Sequence, residues 1–214
     1  MTSSYPSEAE IANLALAHLG KPFIVNINSS KVEASKARFH LPMARKSALR
    51  RFDWTFARRT AQLAEVTDTT YRGRYDIVYD APNEALKIWG ILLPDRPNEL
   101  VKDYYLENGR IYTNLKGAFC RYQVDVRDPA KWSDGFAQAV ACKLAEGMAP
   151  SMTRRRSDIA AFRVLYEEEI ARAAEQDAAQ EHHTYVVENK YADTHAGGVL
   201  YEGPQADGSN IWDS

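Results

Sequence analysis

Several groups of side chains in this 214-residue sequence could in principle do chemistry. Glu167, Glu168 and Glu169 are consecutive in a helical pattern. General acid–base work needs two carboxylates converging on one point, whereas neighbours on a helix fan around it, so a solvated face is expected. His182 and His183, with Asp193 and His195, carry metal-ligating atoms. Consecutive histidines diverge in regular structure and the spacing fits no zinc pattern, so no metal is expected there. The sequence has no G-x-S-x-G elbow, no GxxxxGK[ST] phosphate loop and no GxGxxG after a strand, and Gly197-Gly198 reads as a loop. Cys120 and Cys142 are single and far apart, which predicts two reduced, partly buried thiols. No local signature supports catalysis, and no cofactor is expected.

The basic residues offer binding chemistry instead. Arg154, Arg155 and Arg156 precede the last helix, where the dipole disfavours them and Asp158 partly compensates. They read as a solvated loop ahead of a phosphate or acidic-partner contact, because three cations give modest, salt-sensitive affinity. The stretch ALRRFDWTFARRTAQL (48–63) is richer, with Arg50, Arg51, Arg58 and Arg59 interleaved with Phe52, Trp54 and Phe56. Taken with Arg45 and Lys46, it could form a nucleic-acid groove with Trp54 as the stacking platform. The structural alternative is that Phe52, Trp54 and Phe56 plug a joint between a helix and a strand, each burying about 150–250 Å². That alternative is preferred.

The formal net charge of −2 conceals a gradient. Residues 31–59 hold nine Lys/Arg against two acids, while residues 183–214 hold five acids against one lysine. Such polarity is expected of a part that meets different partners at different ends.

These residues must be positioned by elements that the patterning predicts. With 45% hydrophobic and 26% charged residues, the chain reads as an ordinary globular protein of no more than two lobes. No apolar run approaches the roughly 18–20 residues of a membrane span, and the N-terminus lacks a signal core, so synthesis in a cytosol-like compartment is expected. Ser7 and Glu10 form an S-x-x-E entry to a helix bearing Ile11, Leu14, Ala15, His18 and Leu19, closed by Gly20 and Pro22. A second helical pattern, 32–52, aligns Ala34, Ala37, Leu41, Ala44, Ala48 and Phe52, with a kink or break expected near 38–42 because of Pro42.

Period-two, aromatic and β-branched runs fill residues 58–126 and predict a contiguous antiparallel meander, with a two-residue turn at Asn108-Gly109. The helical period returns at Ser133 with Phe136, Ala137, Val140, Ala141, Leu144, Ala145 and Met148, ending at Pro150. A last helix, about 157–180, carries Ile159, Phe162, Tyr166, Ile170 and Ala173. The expected fold class is α+β: a helical bundle lobe from 1–57 and 127–182, an inserted antiparallel β lobe at 58–126, and an extended tail at 183–214. That tail has too few apolar groups to form its own core, and its isolated Tyr185, Tyr191, Leu200, Tyr201 and Trp212 are candidate docking residues.

In this order the elements resemble the tail tubular protein A family, the head-to-tail adaptors of short-tailed bacteriophages. The matching residues are EIANLALAHLGKPFI (10–24), ARKSALRRFDWTFARRTAQLAEV (44–66) with its W-x-F-A signature, YDIVYDAP (75–82) and DPAKWSDGFAQAVACKLAEGMAP (128–150). The resemblance covers about residues 8–180. It implies a structural virion protein, not an enzyme, that forms a homo-oligomeric ring, commonly of twelve copies, between the portal and the tail tube or nozzle. DNA would pass through without sequence reading, and the protein would reside in the virion after assembly in the host cytoplasm. Because DNA must slide, a strongly basic lumen is disfavoured. Arg50, Arg51, Arg58 and Arg59 are therefore candidate contacts to protein neighbours, as are the tail aromatics to the portal or an adjacent subunit.

Overall fold

The computed structural model describes residues 7–67, 74–153 and 156–183. The tail candidates Tyr185, Tyr191, Leu200, Tyr201 and Trp212, with Asp193, His195, Arg154 and Arg155, lie outside the described residues. The fold is α+β, with four helices and antiparallel sheets.

Helix α1 (Glu8–His18) opens on the full capping box: Glu10 N–H donates to Ser7 Oγ at 3.2 Å, and Ser7 N–H donates to Glu10 Oε2 at 2.6 Å. It closes on Gly20, φ +62°, with Gly20 N–H on the Ala17 carbonyl and Lys21 N–H on the Leu16 carbonyl. These two bonds satisfy the last carbonyls in the manner that favours glycine at the left-handed position. The buried face is Ile11, Ala12, Ala15, Leu16 and Leu19, while Leu14 is 39% exposed. The expected stripe through Leu14 and His18 is thus rotated, because small alanines let α1 lie close against the alanine-rich third helix.

Helix α2 (Val32–Leu49) runs unbroken through Pro42, so the expected break does not occur. Pro42 and Arg38, whose carbonyl loses its donor, are both exposed, and water can take the vacated bond. Helix α3 (Asp134–Met152) is capped by Ser133, which accepts from Phe136 N–H at 3.3 Å. It continues one turn fragment past Pro150 instead of stopping there. Ser151 Oγ on the Met148 carbonyl and Thr153 Oγ1 on the Ala149 carbonyl satisfy its last turn. Helix α4 (Arg156–His183) packs along α3, as do α1 and α2.

The strands are β1 (Arg58–Gln62), β2 (Ile77–Asp80), β3 (Ala85–Leu93), β4 (Arg96–Val101), β5 (Tyr105–Glu107), β6 (Arg110–Thr113) and β7 (Phe119–Val124). They do not follow one another as a single meander. They form a four-stranded sheet, β1-β7-β3-β4, and a three-stranded sheet, β2-β6-β5, antiparallel throughout. Pairing across long sequence separations wins because Cys120, Tyr122, Ile91 and Tyr79 bury together only in this arrangement. The β5–β6 turn is the expected one, with Asn108 at φ 49° and Gly109 at φ 73°.

Two apolar clusters result. One joins all four helices with Trp54, Val126 and Trp132; the other lies between the sheets around Leu63, Tyr79, Ile91, Ile111 and Tyr122. Val124 of β7 packs against both.

Candidate functional site

Residues 48–63 turn the chain from α2 into β1, and Trp54 is the centre of the turn. Its ring is wholly buried, and its indole N–H donates to the Ala48 carbonyl at 3.0 Å, capping the end of α2. Phe136 stands edge-on to it at 5.0 Å between centroids, Phe52 at 5.4 Å, and Phe56 lies 6.1 Å away while touching Phe136 at 5.1 Å. Phe52 and Phe56 are themselves half-buried against the helical cluster. Edge-on aromatic contacts add stability beyond the area they bury. With no face open to solvent, Trp54 is not available as a stacking platform for a base.

A single 3-10 turn, Thr55–Ala57, follows Trp54 and is held from α4. Asp177 accepts from Thr55 N–H at 2.9 Å and from Thr55 Oγ1 at 2.8 Å, and the whole residue is 4% exposed. A carboxylate from another helix thus supplies the cap that the local sequence lacks. Nothing in the sequence singled out Asp177, because its partner lies 122 residues away.

The arginines of this stretch have intramolecular partners. Arg58 pairs with Asp53 at 3.1 Å and also donates to the Asp53 carbonyl at 3.1 Å. Arg51 pairs with Glu167 at 2.5 Å, Arg50 donates to the Leu86 carbonyl at 3.4 Å, and Arg59 donates to the Arg58 carbonyl at 2.7 Å. Arg50, Arg51 and Arg59 stay exposed, whereas Arg58 is largely covered. Lys87 of β3 returns a bond to the Arg50 carbonyl at 2.9 Å and lies over the Trp89 ring at 3.7 Å. Exposed pairs such as Arg51–Glu167 contribute little and exchange readily for another partner.

Arg45 is different. It is 5% exposed and grips Asp125 with two bonds, Nε to Oδ1 at 2.7 Å and Nη2 to Oδ2 at 3.0 Å, joining α2 to the residue after β7. Burial alone would raise the Asp125 carboxyl, but the hydrogen bonds and charge of Arg45, with Lys46 and Arg127, hold it below the usual carboxylate range. Its buried, paired guanidinium removes Arg45 from the set of solvent-facing basic residues.

The remaining chemical candidates stay apart. Glu167 pairs with Arg51, Glu169 with Arg172, and Glu168 points to solvent, so the three fan around α4 as expected. Cys120 and Cys142 are free thiols with no exposed surface, pushed by burial up to about 12 and about 11. Among the described residues no three His, Cys, Asp or Glu side chains are grouped to hold a metal ion. Among the described residues, no helix is long and apolar enough to cross a membrane.

The feature that sequence reasoning missed is an outward apolar stripe. Val32, Phe39 and Met43 of α2 are 62%, 72% and 69% exposed. The core face of the same helix, Ala34, Ala37, Leu41, Ala44 and Ala48, lies opposite. Phe23 and Val25 in the preceding loop are also exposed, at 62% and 97%. The signal was present in the sequence as apolar residues at the positions between the alanines. Beside the stripe, a groove of about 320 Å³ runs between α2, α3 and α4, lined by His40, Met43, Lys143, Glu146 and Ile159. Burial, and then the charge of Lys36, keep His40 below its ordinary pKa and so favour its neutral form there.

No protein-family model matches this sequence, and no curated protein does.

Proposed function

We propose that this protein is a structural subunit of a phage head-to-tail adaptor, a ring between the portal and the tail tube or nozzle through which the genome leaves. The observation that carries the reading is the double-faced α2. A helix that buries alanines on one side and exposes Val32, Phe39 and Met43 on the other has a second surface to cover. A neighbouring subunit of a closed assembly would cover it. The sequence resemblance across residues 8–180 supplies the kind of assembly.

The buried Trp54 and the Arg45–Asp125 pair weigh against a nucleic-acid-binding role, since they withdraw the stacking platform and one of the candidate cations. The surviving exposed arginines suit protein neighbours around a channel in which DNA must slide. Particle images of the protein mixed with the portal of the same virus test the proposal. A ring stacked coaxially on the portal is expected; a mixture in which portal and protein stay separate at micromolar concentration refutes it.

A further inference from the structure

We infer that the outward stripe of α2 docks on the outward face of α4 in a second copy of this chain. At 3.6 residues per turn, Val32, Phe39 and Met43 fall within about 40° of one line along α2, a continuous ridge of large side chains. Lys36 and Lys46 flank that ridge on either side, and neither forms an ion pair among the described residues. The ridge is therefore apolar with cationic edges.

The outward face of α4 is its complement in charge. Ala161, Val164, Glu168, Ala171 and Glu175 recur at three-and-four spacing opposite the buried Tyr166, Ile170 and Ala173. Ala161 and Ala171 present small side chains on the two edges of this face, Val164 is 58% exposed, and Glu168 and Glu175 run along its middle. Glu168 and Glu175 have no ion-pair partner among the described residues, unlike Glu167 and Glu169 on the flanks. Two α2 ridges placed face to face would set Lys36 and Lys46 against their own copies. Pairing α2 with α4 instead brings the cationic edges to a face that carries two carboxylates, which favours it over the like-charged arrangement.

This contact deepens the ring reading and rests on it, since it names the surfaces through which subunits meet. Cysteine trapping tests it with little background, because both native thiols are buried. Phe39→Cys protein mixed with Ala171→Cys protein and mildly oxidised should give a disulfide-linked pair containing one of each. Self-pairing of Phe39→Cys as the main product, or no linked product at any concentration, overturns the inference. Charge reversal provides a second measurement by sedimentation.

Lys36→Glu with Lys46→Glu should weaken self-association at least tenfold, as should Glu168→Lys with Glu175→Lys, and mixing the two double variants should restore it. Loss in both variants without recovery on mixing also overturns the contact. Removing residues 184–214 distinguishes the remaining occupant: if truncation abolishes the mixed disulfide, the chain's own acidic tail mediates the contact and direct docking fails. Portal binding is scored separately, so a correct contact in a protein that ignores the portal refutes the adaptor reading and leaves the docking surface standing.

Discussion

Replacing Trp54 separates a structural corner from a binding platform. The indole is fully buried, packs against Phe52, Phe56 and Phe136, and donates to the Ala48 carbonyl at 3.0 Å. Truncating a buried Trp to Ala costs about 3–5 kcal/mol through lost transfer energy and the cavity left behind. Trp54→Phe keeps most of the ring contact but removes one of two donors to the Ala48 carbonyl, which keeps the Arg51 N–H at 3.1 Å; with the smaller ring the loss is about 1–2 kcal/mol. Against a total stability of about 5–15 kcal/mol for a typical domain, the alanine variant gives up a large fraction. Urea unfolding followed by circular dichroism measures both variants. With a slope of about 2 kcal/mol per molar urea, the midpoint should fall by about 1.5–2.5 M for Trp54→Ala and about 0.5–1 M for Trp54→Phe. An alanine variant within about 0.5 kcal/mol of the parent, ordinary for a surface substitution, would refute the buried-corner account. Reduced affinity for single-stranded DNA in that same stable variant would then favour the stacking role.

Further outcomes follow. Arg45→Met leaves the Asp125 carboxylate without its bidentate partner and should cost about 3 kcal/mol, the low end for a buried pair because Asp125 keeps 18% side-chain exposure. Asp125 and Glu146 both have carboxyls held below their ordinary values, each by cationic neighbours that outweigh burial. Groups with depressed folded-state pKa stabilise fully above their unfolded values near 4 and lose that contribution as pH falls through the lower folded values. Acid unfolding of Asp125→Asn should therefore show a shallower stability loss below about pH 4 than the parent. Gly109→Val, at φ 73°, should cost about 1–2 kcal/mol in thermal or urea unfolding, while Gly135→Ala meets the Ala173 side chain at 3.0 Å and tests the α3–α4 approach. Native protein at pH 8 should not react with a thiol reagent until urea opens it, since both cysteines are buried with thiols near 12 and 11. Removal of residues 184–214 should leave the helical unfolding transition unchanged and reduce attachment to portal-bearing heads; truncated protein that completes heads normally would disprove the docking role of the tail.

Local signals were legible where one short segment contains both partners. The Ser7–Glu10 capping box, the Ser133 cap and the Asn108-Gly109 turn each satisfy their own backbone within a few residues, so residue type sufficed. The α3 stripe was legible because its large side chains face the same way as its alanines. The α1 face was misplaced because Ala12 carries little weight in a hydrophobic pattern yet fits where two backbones approach closely. Strand order was hidden because β1 pairs with β7, Arg58 opposite Gln123, and no local pattern encodes that register. Arg45 read as one more surface cation, because its partner Asp125 lies 80 residues on. The apolar ridge of α2 is hidden for a related reason: Phe39 sits between Arg38 and His40, Met43 follows Pro42, and the alanines at the core spacing make the more regular helical pattern.

The pairing of β1 with β7 also has a consequence for how this architecture can vary. Arg58 and Gln123 lie opposite one another, so the inserted sheet leaves and rejoins the bundle at one spot. Between those points the helices meet the sheets again at Leu86 and Lys87 of β3, and the rest is a branch. Doubling the length of a flexible connection costs only about 0.6 kcal/mol in closure entropy, so the branch can grow, shrink or be re-faced while the helical frame stays in register. Such a molecule can change the far end of its sheets while the core that holds its helices together stays the same.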